Sequence, residues 1–140
     1  MIHPVYPCLW FDGNAKEAAD FYCSVFKNAK ITSENPMVVN FEIDGRNFMC
    51  LNGGPMYQFT EAVSFVVTCD TQEEIDYYWE KLTQGGAESR CGWLKDKYGV
   101  SWQIVPAVLG KLMSDPARSQ RVVAAFMKMK KFNIQQLLDA

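Results

Sequence analysis

Residues Glu17-Ala18-Ala19-Asp20-Phe21-Tyr22, with Phe26 beyond them, return 56 residues later as Glu73-Glu74-Ile75-Asp76-Tyr77-Tyr78, with Leu82 beyond. Each copy keeps its acidic positions, its aromatic pair and its later apolar residue at helical spacing. A second correspondence follows at a shift of 54 residues: Gly45 falls on Gly99, Phe48 on Trp102 and Leu51 on Val105. The order of elements repeats along with the letters. The chain therefore reads as two copies of one unit, a strand, a helix, then two or three strands.

The flanking residues fill in each copy. Cys8-Leu9-Trp10-Phe11 is a short apolar strand ended by Asp12-Gly13. Asn14 is placed as the N-cap of a helix over residues 15–27, with Glu17 reaching back. Val38–Ile43 alternates with period two and meets Arg46–Leu51 through Asp44-Gly45, a hairpin signal. Asn52-Gly53-Gly54-Pro55 breaks the chain into a loop. In the second copy Val63–Thr68 is the strand. Asp70 or Thr71 caps a helix through Leu82, which Gly85-Gly86 ends. Ala87–Lys95 is extended, Lys97-Tyr98-Gly99 turns, and Val100–Val105 is a strand stopped by Pro106. Ser114-Asp115-Pro116 predicts a helix over 116–131, with Lys128, Lys130 and Lys131 complementing the dipole of its last turn. Ile134–Leu138 predicts a last short helix that leaves Leu137 and Leu138 available for docking or dimer contacts. These boundaries give a single domain over 1–140: module one about 4–54, module two about 60–106, C-terminal helices about 107–139.

Composition narrows the function classes. The 140 residues carry 14 Lys+Arg and 16 Asp+Glu, a formal net charge of −2, with 49% hydrophobic residues. That balance excludes a disordered chain and argues against nucleic acid as a partner, which needs a dense cationic face. Five cysteines at 8, 23, 50, 69 and 91, an odd number without a C-x-x-C pair, argue against a disulfide framework or a zinc ribbon. Four or five of them read as small buried hydrophobes. The N-terminus does not read as a signal peptide, and no apolar run is long enough to cross a membrane. The protein is expected to be cytoplasmic. His3 is the only histidine, so the common catalytic triads and dyads are nearly excluded.

Specific letters add a resemblance. Pro7-Cys8-Leu9-Trp10-Phe11-Asp12-Gly13, Ala18-Ala19-Asp20-Phe21-Tyr22, Leu51-Asn52-Gly53-Gly54-Pro55 and above all Cys91–Gln103 are similar to the PhnB-like branch of the vicinal-oxygen-chelate superfamily. That superfamily includes glyoxalase I, extradiol dioxygenases and bleomycin-resistance proteins. The branch often carries the label 3-demethylubiquinone-9 3-methyltransferase. The resemblance spans about residues 4–138. It implies an α+β fold of tandem βαβββ modules, whose curved mixed sheets surround a cup, and a homodimer.

The resemblance also implies where metal ligands would stand: at or next to Cys8 and Ser64 in the first strands, and Met49 and Gln103 in the last. None is His, Asp or Glu, and neutral amide, hydroxyl and thioether groups suit a transition metal poorly. No cofactor and no metal are expected. Strand alternation gives a mostly apolar cup, and the ligand-binding candidates are Trp10, Asp12, Met49, Ser64, Trp93, Lys95 and Gln103. No G-x-G turn of a methyl-donor site occurs among the glycines. The expected function is binding of a small aromatic or hydrophobic molecule. The alternatives are a glyoxalase- or dioxygenase-like enzyme with an atypical metal site, or a bleomycin-type antibiotic-sequestering protein.

Overall fold

The computed structural model describes residues 2–140, which form two compact units that divide after Phe59. Each unit contains one βαβββ module, and the α+β reading holds.

The first unit runs β1 (Cys8–Phe11), α1 (Ala15–Val25), β2 (Ala29–Glu34), β3 (Val38–Ile43) and β4 (Arg46–Asn52), in the sheet order β1-β4-β3-β2. The first and last strands pair in parallel, and the others are antiparallel. A parallel pair needs a crossover, and α1 begins it. Leu9, Phe11, Val39, Phe41 and Cys50 point under α1 and meet the buried Ala15, Ala18, Ala19, Tyr22 and Val25. The Tyr22 and Phe41 rings stack at 5.7 Å. In the Asp44-Gly45 hairpin both residues have positive φ, 50° and 77°, as a type I′ turn requires.

Asn14 does not cap α1 through its side chain; its φ of −113° and ψ of 27° lie outside the extended capping geometry. The cap comes from a distance: Asn52 Oδ1, at the end of β4, accepts the Ala15 N–H at 2.9 Å. The helix also stops two residues short of the predicted 27.

The second unit repeats the order with β5 (Ser64–Cys69), α2 (Gln72–Thr83), β6 (Ala87–Glu88), β7 (Trp93–Lys95) and β8 (Ser101–Pro106), arranged β5-β8-β7-β6. Thr71 caps α2 in a full capping box with Glu74. Ile75, Trp79 and Leu82 bury against Leu94, Trp102 and Ile104.

Asp96 explains the Asp96-Lys97-Tyr98-Gly99 turn. Its side chain is 2% exposed. Its Oδ1 accepts the N–H groups of Tyr98 (2.9 Å) and Val100 (3.1 Å), and its Oδ2 accepts Trp102 Nε1–H at 2.9 Å. Gly99, at φ 87°, lets the turn close.

The C-terminal residues form α3 (Val108–Met113), α4 (Ser119–Phe126) and α5 (Ile134–Leu138). The sequence predicts one helix over 116–131, and the structure shortens it at both ends. Residues 115–118 make a turn, in which Asp115 Oδ1 accepts Ala117 N–H and the Asp115 carbonyl accepts Arg118 N–H. Beyond Phe126 the carbonyls of Met129 and Lys130 accept the Cys91 and Gly92 N–H groups at 2.9 and 2.8 Å. Lys128, Lys130 and Lys131 therefore lie past the helix, and Lys131 pairs with Asp76 at 2.7 Å. Gln72 of α2 clamps the same segment: it donates to the Phe132 carbonyl at 3.0 Å and accepts the Ile134 N–H at 2.8 Å. Leu137 is fully buried rather than free for docking, while Leu138 stays exposed.

Two outcomes follow from this packing. Asp96→Ala removes three buried acceptor contacts and strands the Trp102 indole N–H, so urea denaturation should show a loss of about 3 kcal/mol; a loss within error of zero would contradict the role of Asp96. Burial pushes the Cys50 thiol up to about 12 and the Cys69 thiol to about 11. Iodoacetamide at pH 8 should then alkylate both only after unfolding, as read by mass spectrometry. Rapid labelling of either in folded protein would contradict the core placement.

Candidate functional site

The ladder of the second unit decides which side chains share a face. β7 and β8 pair Trp93 with Gln103, Leu94 with Trp102 and Lys95 with Ser101. Leu94 and Trp102 are buried on the α2 side. Trp93, Lys95, Ser101 and Gln103 therefore occupy the opposite face, joined by Ser64 and Val66 of β5, which pair with Ser101 and Gln103. Gln103 Nε2 donates to Ser64 Oγ at 3.0 Å.

Trp93, Lys95 and Ser101 line one cavity of about 570 Å³, together with Glu61, Arg90 and Cys91. The Lys95 ammonium forms an ion pair with Glu61, and both side chains are about half exposed. The hydrogen bond from Lys95 holds the Glu61 carboxyl below the usual carboxylate range. Ser101 is the opposite case: it is 1% exposed, and its Oγ has no hydrogen-bond partner among the described residues. Such a group is uncommon in a folded protein.

The wall at Arg90-Cys91 is rigidly placed. Cys91 and Gly92 have φ values of 57° and 83°. Their N–H groups are taken by Met129 and Lys130, and the Gly92 carbonyl accepts Ile104 N–H at 2.8 Å. A Cβ on Gly92 would lie 2.4 Å from the Phe132 ring, so only glycine fits. The C-terminal segment thus braces the cavity wall.

The remaining predicted site residues lie in the first unit. Cys8 pairs with Met49 and Trp10 with Leu51 across the parallel ladder. Trp10 is committed to its own loop: its Nε1–H donates to the Gly54 carbonyl at 2.9 Å, and its ring meets Tyr57 edge-on at 4.9 Å. Gly53 leaves room for that ring, since a Cβ there would fall 2.3 Å from it. Asp12 is exposed in the bend after β1. A smaller cavity of about 230 Å³ in this unit is lined by Tyr6, Thr32, Asn40, Asn47 and Phe48, none of them a predicted site residue.

Of the seven candidates, the structure brings Trp93 and Lys95 into the larger cavity and sets Ser64 and Gln103 as a bonded pair on the same sheet face. Glu61, Arg90 and Ser101 are additions. The alternation of β8 places Ser101 on the face of Gln103. Glu61 lies in a connecting turn, and nothing in its local sequence marks it.

The positions where the resemblance puts metal ligands carry a thiol and a thioether in the first unit, and a hydroxyl and an amide in the second. The Gln103 amide turns its N–H toward the Ser64 oxygen, so the two polar groups of this pair face each other. Among the described residues no group of three or more His, Cys, Asp or Glu could hold a metal ion. This donor set does not fit a divalent transition metal.

A family model for 3-demethylubiquinone-9 3-methyltransferase matches residues 3–105, which leaves α3–α5 beyond the match. No curated protein matches the chain. Among solved structures, the putative 3-demethylubiquinone-9 3-methyltransferase PhnB protein of Bacillus cereus is 36% identical, with TM-score 0.69, over 75% of this chain and 100% of its own. Two more distant structures share the fold. One is the fosfomycin resistance protein FosX of Listeria monocytogenes, solved with Mn(II) and sulfate (16% identity, TM-score 0.59, 81% of this chain and 97% of that one). The other is a glyoxalase/bleomycin resistance protein/dioxygenase from Alicyclobacillus acidocaldarius (13%, TM-score 0.52, 73% and 89%). The chain belongs to the PhnB-like family labelled 3-demethylubiquinone-9 3-methyltransferase, within the glyoxalase/bleomycin-resistance fold.

Proposed function

We propose that this protein binds a small aromatic or hydrophobic molecule, without a metal ion, in the cavity of its second unit. One observation carries the reading: the cavity of about 570 Å³ is lined by Trp93 and by Ser101, whose buried hydroxyl has no hydrogen-bond partner among the described residues. Small-molecule sites of this size combine apolar walls with a few polar groups that fix orientation. The Ser101 hydroxyl is such a group, and a ligand atom would supply the hydrogen bond it lacks.

Methyl transfer, the activity in the family label, is not carried over to this chain. Nucleotide-type methyl donors are usually held at a glycine-rich turn after a parallel strand, and the parallel pairs here join only the first and last strands of each module. Metal chemistry of the kind the fold implies is not carried over either, because the Ser64–Gln103 pair and the Cys8–Met49 pair offer no anionic oxygen and no imidazole.

Labelling with 5-fluorotryptophan gives one fluorine on each of Trp10, Trp79, Trp93 and Trp102, assignable by single Trp→Phe variants. Titration with indole and 2-naphthol should move the Trp93 resonance saturably and leave buried Trp79 and Trp102 in place. Elemental analysis of untagged protein should find transition metal well below one equivalent. A Trp93 signal indifferent to both compounds would overturn the assigned cavity, and a full equivalent of manganese, zinc, nickel or iron would overturn the metal-free part.

A further inference from the structure

We infer that this cavity selects molecules carrying a carboxylate, which displace Glu61 from Lys95 and bond to the Ser101 hydroxyl; this rests on the reading that the cavity is the binding site.

The charges around the cavity lead there. Two cations, Lys95 and Arg90, and two carboxylates, Glu61 and Glu88, line it. Glu88 is engaged elsewhere, since its Oε1 accepts Trp79 Nε1–H at 2.7 Å. Arg90 is exposed and has no ion-pair partner among the described residues. The local balance without Glu61 is therefore cationic.

Glu61 is the resident anion. It comes from the connecting turn ahead of β5 rather than from the sheet, and its side chain is 59% exposed against 43% for Lys95. Ion pairs this exposed are held weakly, so a carboxylate of better fit can exchange with it. The exchange keeps charge balance, because one monoanion replaces another at the same ammonium.

Ser101 provides the better fit. It is the cross-strand neighbour of Lys95, so both side chains leave the sheet on one face within reach of one carboxyl group. Glu61 uses the ammonium and leaves the hydroxyl unpartnered. A ligand carboxylate that enters the cavity can accept from both, one oxygen to each donor. Trp93, two residues before Lys95 on the same face, then offers its ring to the rest of the ligand.

The test compares 2-naphthoate, 2-naphthamide and 2-naphthylmethylamine, which share a ring system and carry −1, 0 and +1 charge. With the fluorotryptophan-labelled protein at neutral pH, naphthoate should bind at least tenfold tighter than naphthamide, and the amine weakest. Glu61→Gln should tighten naphthoate several-fold and leave naphthamide unchanged. Ser101→Ala should weaken naphthoate, and Lys95→Met should bring it level with naphthamide; Lys95→Arg should retain the preference and controls for folding. If naphthoate and naphthamide move Trp93 with equal affinity, the cavity is the binding site and the carboxylate inference is wrong. If none of the three moves Trp93, the cavity reading itself fails and the inference with it. If Glu61→Gln weakens naphthoate, Glu61 is a binding partner and not the occupant displaced.

Discussion

The buried Asp96 carboxylate holds together the part of the molecule on which every functional statement depends. By accepting from Tyr98 N–H, Val100 N–H and Trp102 Nε1–H, it fixes both the turn between β7 and β8 and the indole anchored under α2. The register of these strands follows: Lys95 meets Ser101, and Trp93 meets Gln103. A slip of β7 by one residue would send Trp93 and Lys95 to the helix side and turn Leu94 out of the core. A buried acceptor with three donors resists that slip, because any alternative leaves polar groups unpaired.

The two units use one topology and spend their aromatic residues differently. In the first, Gly53, Gly54 and Tyr57 close over Trp10, and its indole N–H is taken by Gly54. That tryptophan organises a loop. In the second, Val66 on the corresponding sheet face is 57% exposed, and Gln103 donates across the strands to Ser64. The segment between α4 and α5 supports this difference. It seats Phe132 against Gly92 and accepts the N–H groups of Cys91 and Gly92, so the cavity wall is braced by residues beyond the family match.

The fold was legible because it is written in local, repeated signals. Period-two strands, the Asp44-Gly45 turn, the Thr71–Glu74 box and the 56-residue echo all act over short stretches of chain. The misses involve partners distant in sequence. Asn14 looks like a cap, yet Asn52 supplies the bond from 37 residues away. The helix predicted over 116–131 ends at Phe126, and the chain beyond it turns so that the carbonyls of Met129 and Lys130 meet Cys91 and Gly92. α3 is six residues long with Gly110 inside it, too short for periodicity to show. At the site, alternation identified the face of Trp93, Lys95 and Gln103. It did not identify Glu61, which reaches Lys95 from a turn, nor distinguish a satisfied hydroxyl at Ser64 from an unsatisfied one at Ser101.

That last distinction bears on how the proposed ligand would be oriented without a bound metal ion. A metal orients a ligand by bonding it; in the neutral Ser64–Gln103 pair the amide N–H is already spent on the hydroxyl oxygen. On the proposed reading, orientation comes from donors left incomplete by the fold. Ser101 is buried without a hydrogen-bond partner among the described residues, and Lys95 is held by a carboxylate from an exposed turn. A ligand that completes the hydrogen bond would recover the stabilisation an unpaired buried group forgoes, which is how such a group discriminates between ligands that differ by one polar atom. On the proposed reading, the incomplete donor fills the orienting role that a metal ion would otherwise have.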